Sequence, residues 1–169
     1  MELRQFERTV KILNDVGVRY IVVGGFAIIL RGLARFTTDL DIVLELTPDS
    51  TTKAVTALRD AGFLPKNPVD PLDFADPAIR SDWVKNRNMI VFRWHDPTDP
   101  LFALDVFVSE PFPFDEMYAR TLIVEFEGLE CRIAADDDMI ALKLKAARPK
   151  DFRDIDFLEF AKEEDERTK

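Results

Sequence analysis

Cysteine and histidine are nearly missing from this chain, which has one of each, Cys131 and His95. A lone cysteine excludes an internal disulfide, and with a lone histidine there is no Cys/His zinc set. Long apolar runs are missing too. Glu2, Arg4, Glu7 and Arg8 break the N-terminus and charges recur throughout, so no secretory leader or membrane-length stretch is visible. The expectation is a cytoplasmic protein with no membrane partner. Positive charge is in deficit: 23 Lys and Arg face 32 Asp and Glu, a formal net charge of -9. Broad non-specific nucleic-acid surfaces work by neutralising phosphates with Lys and Arg, so this balance argues against one while leaving room for a small basic pocket. Internal repeats and low-complexity tracts are also absent.

What is present is enough apolar material for a core. The 169 residues are 47% hydrophobic and include 14 Phe, which suits one globular domain over residues 1–169 with a small helical part at its C-terminal end, 136–163. Leu3, Phe6, Val10 and Leu13 have helical spacing, and Gly17 ends that helix. Tyr20 to Val23 reads as a short buried strand, Gly24-Gly25 as a turn into a helix over 26–31 closed by Gly32, and 40–46 as a second strand. Thr47-Pro48-Asp49-Ser50 is a helix-start signal for a helix reaching Ala61. This strand and helix order points to an α/β or α+β layer rather than a bundle.

Residues 65–77, rich in proline and acids, read as irregular rim. Strands are expected over 89–94 and 101–108, with His95 in the exposed turn between them, and a hairpin over 122–126 and 130–133. Helices over 136–147 and 152–161 close the chain, broken at Arg148-Pro149, with a frayed charged tail after Lys162. Trp83, Trp94 and Cys131 read as packing residues. Asp136-Asp137-Asp138 reads as a helix N-terminal charge cluster, since no EF-hand ligand sequence follows.

The chemistry-bearing residues sit where apolar strands are interrupted by acids. Side chains two apart on a strand project to one face, so Asp39 and Asp41 can converge while Leu40 and Ile42 point the other way. Convergent carboxylates repel unless a cation lies between them, and Mg2+ or Mn2+ with oxygen ligands meets that need. Asp105, in Leu104-Asp105-Val106, repeats the pattern and is a candidate third carboxylate if its strand neighbours the first. Gly24-Gly25, between strand and helix, permits close backbone approach and turns helix amides toward a possible phosphate. It is neither a Walker loop nor a GxGxxG fingerprint. Each feature has an ordinary alternative: a structural glycine turn, a capping pair of aspartates, an ion-paired strand-edge carboxylate. Their joint occurrence is what favours a metal site.

Gly24-Gly25 with Gly32, Arg35, Thr37, Asp39, Leu40, Asp41 and Ile42 resembles the signature of the nucleotidyltransferase superfamily, in the branch with AbiEii-like and MenT-like toxin enzymes. The stretch from Lys143 through Arg148 and Lys150 to Asp151 and Asp154 is similar to the same branch, and the resemblance covers roughly residues 18–46 and 101–158. It implies an α+β nucleotidyltransferase fold, a mixed β-sheet with helices packed on it and C-terminal helices. It further implies a metal-binding set of Asp39, Asp41 and Asp105, with Asp105 helping to activate the attacking hydroxyl. Gly24, Gly25, Arg35, Thr37, Lys143 and Lys150 would serve the nucleotide. Arg35 could instead ion-pair with the carboxylates, and the lysines could be plain solvated surface. The implied activity is transfer of a nucleoside monophosphate from an NTP to a hydroxyl on RNA, protein or a small molecule. A toxin-type enzyme would take tRNA as acceptor and have an antitoxin partner. The competing expectation is a catalytically weak nucleotide-binding or partner-binding protein that retains the fold. Gly24-Gly25 replaces the Gly-Ser of many active transferases, removing a serine contact to phosphate.

Overall fold

A computed structural model describes residues 3–169, so the first two positions of the expected domain lie outside the described residues. Helix α1 (Arg4–Asp15) buries Phe6, Val10 and Leu13 on one face, and the chain turns at Gly17 into strand β1 (Tyr20–Val23), which is buried throughout. Helix α2 (Gly24–Arg31) starts directly on the end of β1 and stops at Gly32, whose φ of 119° only glycine adopts readily. Strand β2 (Asp39–Leu44) follows. Helix α3 (Pro48–Asp60) forms where its start signal lies, with Thr47 Oγ1 accepting the Ser50 amide hydrogen at 3.2 Å.

The region expected to be irregular is more ordered. A two-residue strand β3 (Leu64–Pro65) leads into it and a 3-10 turn forms at Pro71–Ala75, while helix α4 (Pro77–Arg87), for which the sequence set no expectation, starts at its end. Asp76 caps α4 by accepting from the Ala78 and Ile79 amides at 2.8 and 3.4 Å, and Pro77 occupies its first turn. The same Asp-Pro residues that read as loop punctuation are therefore a helix start. Strands β4 (Val91–Asp96) and β5 (Asp99–Phe107) form a hairpin. His95 belongs to β4, paired with Ala103, rather than to an exposed turn. Helix α5 (Phe114–Ala119), absent from the sequence expectation, buries Phe114 and Met117. Strands β6 (Leu122–Phe126) and β7 (Leu129–Ile133) make the expected second hairpin.

Helices α6 (Asp136–Ala146) and α7 (Pro149–Arg167) close the chain. Ala147 takes a left-handed φ of 50° between them, so Lys143 and Lys150 lie on separate helices and not along one continuous face. α7 continues past Lys162 to Arg167. Ion pairs of Arg31 with Asp165, at 2.5 Å, and of Lys162 with Asp137 tie down the end expected to fray.

The seven strands form one mixed sheet in the order β3-β4-β5-β2-β1-β7-β6. β2 runs antiparallel to β1 and parallel to β5. Register places Leu40, Leu104 and Trp94 in one row and Val22, Ile42, Val106 and Phe92 in the next. These residues are buried, with Trp83 of α4 stacked on Phe92 at 5.4 Å and Phe6 of α1 edge-on to Phe102 at 5.3 Å. Burying each such aromatic contributes roughly 1.5–3 kcal/mol, so this face anchors the sheet. Residues of opposite parity on the same strands project to the other face. Among the described residues no helix is long and apolar enough to cross a membrane.

Candidate active site

The acids converge because of strand register. Parallel pairing sets Asp41 opposite Asp105 and Asp39 opposite Ala103, while antiparallel pairing sets Val23 beside Asp41. Registered neighbours share a face and a two-residue step preserves it, so Asp39, Asp41 and Asp105 all project away from the aromatic core. The side chain of Asp105 is 6% exposed and that of Asp39 is 42% exposed. The Asp41 carboxyl is pushed up to about 7, first by burial and then by the charges of Asp105 and Asp39. The row is thus short of positive charge around Asp41, the condition under which a divalent ion is held by carboxylates.

Arg93 meets part of that deficit. It faces Asp105 across the β4–β5 hairpin, donating from Nε to Oδ1 at 2.7 Å and from Nη2 to Oδ2 at 2.6 Å. Its Nη2 also lies 3.7 Å from Asp39 Oδ2. Hydrogen bonding to Asp105 raises the Arg93 guanidinium above its ordinary value. Among the described residues no group of three or more His, Cys, Asp or Glu side chains is arranged to hold a metal ion. Sequence reasoning missed Arg93, although its alternation with Phe92 and Trp94 already puts it on the polar face.

Gly24 and Asp41 are packed against each other. Gly24 has φ of 68°, and a Cβ there would stand 2.2 Å from Asp41 Oδ2. Gly25 packs differently: its Cβ would lie 2.9 Å from Thr37 Oγ1 and 3.5 Å from Arg35 Cζ, because the 33–38 loop folds back over the start of α2. Val23 makes no side-chain hydrogen bond to the α2 N-terminus. Thr37 Oγ1 donates to the Asp39 carbonyl and Thr38 Oγ1 to Asp39 Oδ1, both at 3.3 Å, so the loop fixes the first acid.

The basic residues form a second cluster. Lys143, buried on α6, donates to Asp154 at 2.6 Å and to Asp151 at 3.4 Å. Arg148 Nε pairs with Asp151 at 2.9 Å, and Arg35 pairs with Asp154. Three cations thus share two buried carboxylates, which binds the 33–38 loop, α6 and α7 into one unit. Arg35 is an ion-pairing residue here, but its partner is Asp154 rather than Asp39 or Asp41. Lys150 is exposed in the first turn of α7, outside this cluster.

Asp41, from the acid row, and Lys143 and Arg148, from the basic cluster, border one cavity of about 350 Å³ whose walls also include Gly24, Phe107 and Met139; Asp39 and Asp105 are not among its lining residues. Of the residues expected to serve a ligand, Gly24, Asp41 and Lys143 reach this space. Gly25, Thr37 and Arg35 shape the loop behind it.

The fold is that of nucleotidyltransferases. Residues 2–165 match the family described as nucleotidyltransferase of unknown function, DUF6036, and the chain belongs to it. No curated protein sequence matches it. Among solved structures, the lincosamide antibiotic adenylyltransferase LnuA bound to lincomycin superposes with a TM-score of 0.62 at 15% identity, over 94% of this chain and 96% of that one. The antibiotic-resistance factor ANT(2'')-Ia gives 0.63 at 11% identity, over 94% and 84%. A nucleotidyltransferase from Thermotoga maritima gives 0.57 at 12% identity, over 89% and 88%. At these identities the likeness establishes the shared fold.

Proposed function

We propose that the protein transfers a nucleoside monophosphate from an NTP to a hydroxyl of a small-molecule acceptor. The observation that carries this is the registered row of Asp39, Asp41 and Asp105 on neighbouring strands, whose central member, Asp41, lines one cavity together with Gly24, Lys143 and Arg148. Asp39 and Asp41, joined by Asp105, would hold Mg2+ or Mn2+, which when bound supplies positive charge at the phosphates and acidifies the attacking hydroxyl. Amides at the start of α2 receive phosphate oxygens, and Gly24 lets them come close. Arg148 and Lys143 balance the charge that builds on the pyrophosphate as its bond to the α-phosphorus breaks. The acceptor oxygen forms the new bond to that phosphorus, and its proton passes to the Asp105 carboxylate.

A small acceptor is favoured over a large RNA by the net charge of -9, which resists a polyanion. The solved neighbours include LnuA bound to lincomycin and ANT(2'')-Ia in complex with adenylyl-2''-tobramycin, both small hydroxylated molecules. The toxin-type alternative, with tRNA as acceptor and an antitoxin partner, is a second arm of the test. Each labelled NTP is incubated with Mg2+ or Mn2+ and one of three acceptor pools: hydroxylated small molecules, total tRNA, or cell protein. Label on a small molecule supports the proposal, and label on tRNA moves the assignment to the toxin-type enzyme. Asp39→Ala with Asp41→Ala should abolish transfer. Nucleotide binding that ignores both aspartates and yields no product would establish a binding protein instead.

A further inference from the structure

The cation at the Asp105 end of the acid row belongs to the protein itself. Arg93 grips both oxygens of Asp105, at 2.7 and 2.6 Å, and its Nη2 stands 3.7 Å from Asp39 Oδ2. A guanidinium in this place satisfies the electrostatic demand that a second divalent ion would satisfy, and the fork geometry matches a carboxylate better than a point charge does. The three groups lie on β4, β5 and β2, so their spacing is set by the sheet rather than by a loop. Arg93 is nonetheless 45% exposed, so its head can swing toward solvent about its own side-chain torsions without disturbing the core.

We propose that Arg93 is an internal counter-cation that competes with a divalent ion for Asp105 and Asp39. The inference rests on the transferase reading for the ion's purpose, but not for its existence. In the resting protein Arg93 neutralises Asp105, and the remaining charge deficit is concentrated at Asp41. A divalent ion that uses Asp105 must first displace the guanidinium, so the free protein binds such ions weakly. The anionic triphosphate then serves two ends, adding ligands for the ion and offering Arg93 an alternative partner. Arg93 acts through the carboxylates it holds and is a positioning residue.

The test is Mn2+ binding without any nucleotide, followed by loss of the free-ion electron paramagnetic resonance signal. Arg93→Gln is expected to bind Mn2+ about tenfold or more tightly than wild type, because one full charge leaves the site. Arg93→Lys keeps the charge without the fork and should tighten binding by a smaller factor. Adding Asp105→Asn to Arg93→Gln should erase the gain, which locates it at that carboxylate. A merely structural arginine predicts the opposite sign, since loosening the site would weaken the ion. Affinity unchanged or reduced in Arg93→Gln overturns the proposal, and if that variant does not fold, absence of any tightening in Arg93→Lys does so. Tightening in these variants without transfer in the acceptor assay would leave Arg93 as the competitor and remove the transferase reading alone.

Discussion

A β-carbon on Gly24 would lie 2.2 Å from Oδ2 of Asp41, so the turn and the central acid occupy one another's space. Gly24→Ala must move the carboxylate or the turn, and it also places a side chain at φ of 68°. The backbone strain alone costs about 1–3 kcal/mol. We expect urea unfolding to show that loss, together with weaker Mn2+ binding. An alanine variant with wild-type stability and ion affinity would refute the close approach.

Gly25→Val should act through the loop instead. Its side chain meets Thr37 and Arg35, pushing the 33–38 loop off the start of α2. Nucleotide affinity, measured by calorimetry, is expected to fall more than folding stability does.

Stability should depend on pH through Asp41. Its carboxyl, ordinarily near 3.8, is raised to about 7 in the folded state, so between those values the folded chain binds a proton that the unfolded chain has lost. Stability therefore falls as pH rises through that window and levels off above it. Glu45, held low by hydrogen bonding from Arg19, has the opposite sign, but its contribution is lost only at acid pH. Discounted for partial solvent contact, the Asp41 effect is about 1–2 kcal/mol. Metal-free protein should melt lower at pH 8 than at pH 5.5, and Asp41→Asn should flatten the difference. Mn2+ affinity should run the other way, rising with pH to about 7, since the ion needs the ionised carboxylate.

Asp154→Ala should be severely destabilising. It leaves Lys143, buried on α6, with Asp151 as its remaining acidic partner and releases Arg35. Breaking a buried pair of this kind costs about 3–5 kcal/mol. Proteolysis should then cleave first in the 33–38 loop or between α6 and α7. Lys150→Ala, an exposed position outside the cluster, should change stability by less than about 0.5 kcal/mol.

Local pattern carried much of this protein. The period-two alternation in Asp39-Leu40-Asp41-Ile42 sets which side chains share a face, whatever the strand pairs with. The Thr47-Pro48 helix start and the 122–133 hairpin are likewise encoded by neighbouring residues and form where expected, and the glycine pair marks the strand-to-helix junction, with α2 starting at Gly24 rather than after Gly25. Misread segments were those in which one residue type serves two local purposes: Asp76-Pro77 opens a helix instead of belonging to an irregular rim, and Asp96-Pro97 turns the chain after His95 rather than around it. Tertiary structure alone decided the partners of the charges at the site that pair across elements, whereas Arg148 meets Asp151 three residues on within the start of α7. Parallel pairing of β2 with β5 joins residues more than sixty positions apart, and only that register brings Asp105 beside Asp41. Charges act through space with no memory of sequence spacing. The sequence could therefore show acids in need of cations, while the packing of β4 assigned Arg93 to Asp105, and the packing of α6 and α7 assigned Arg35 and Lys143 to Asp154.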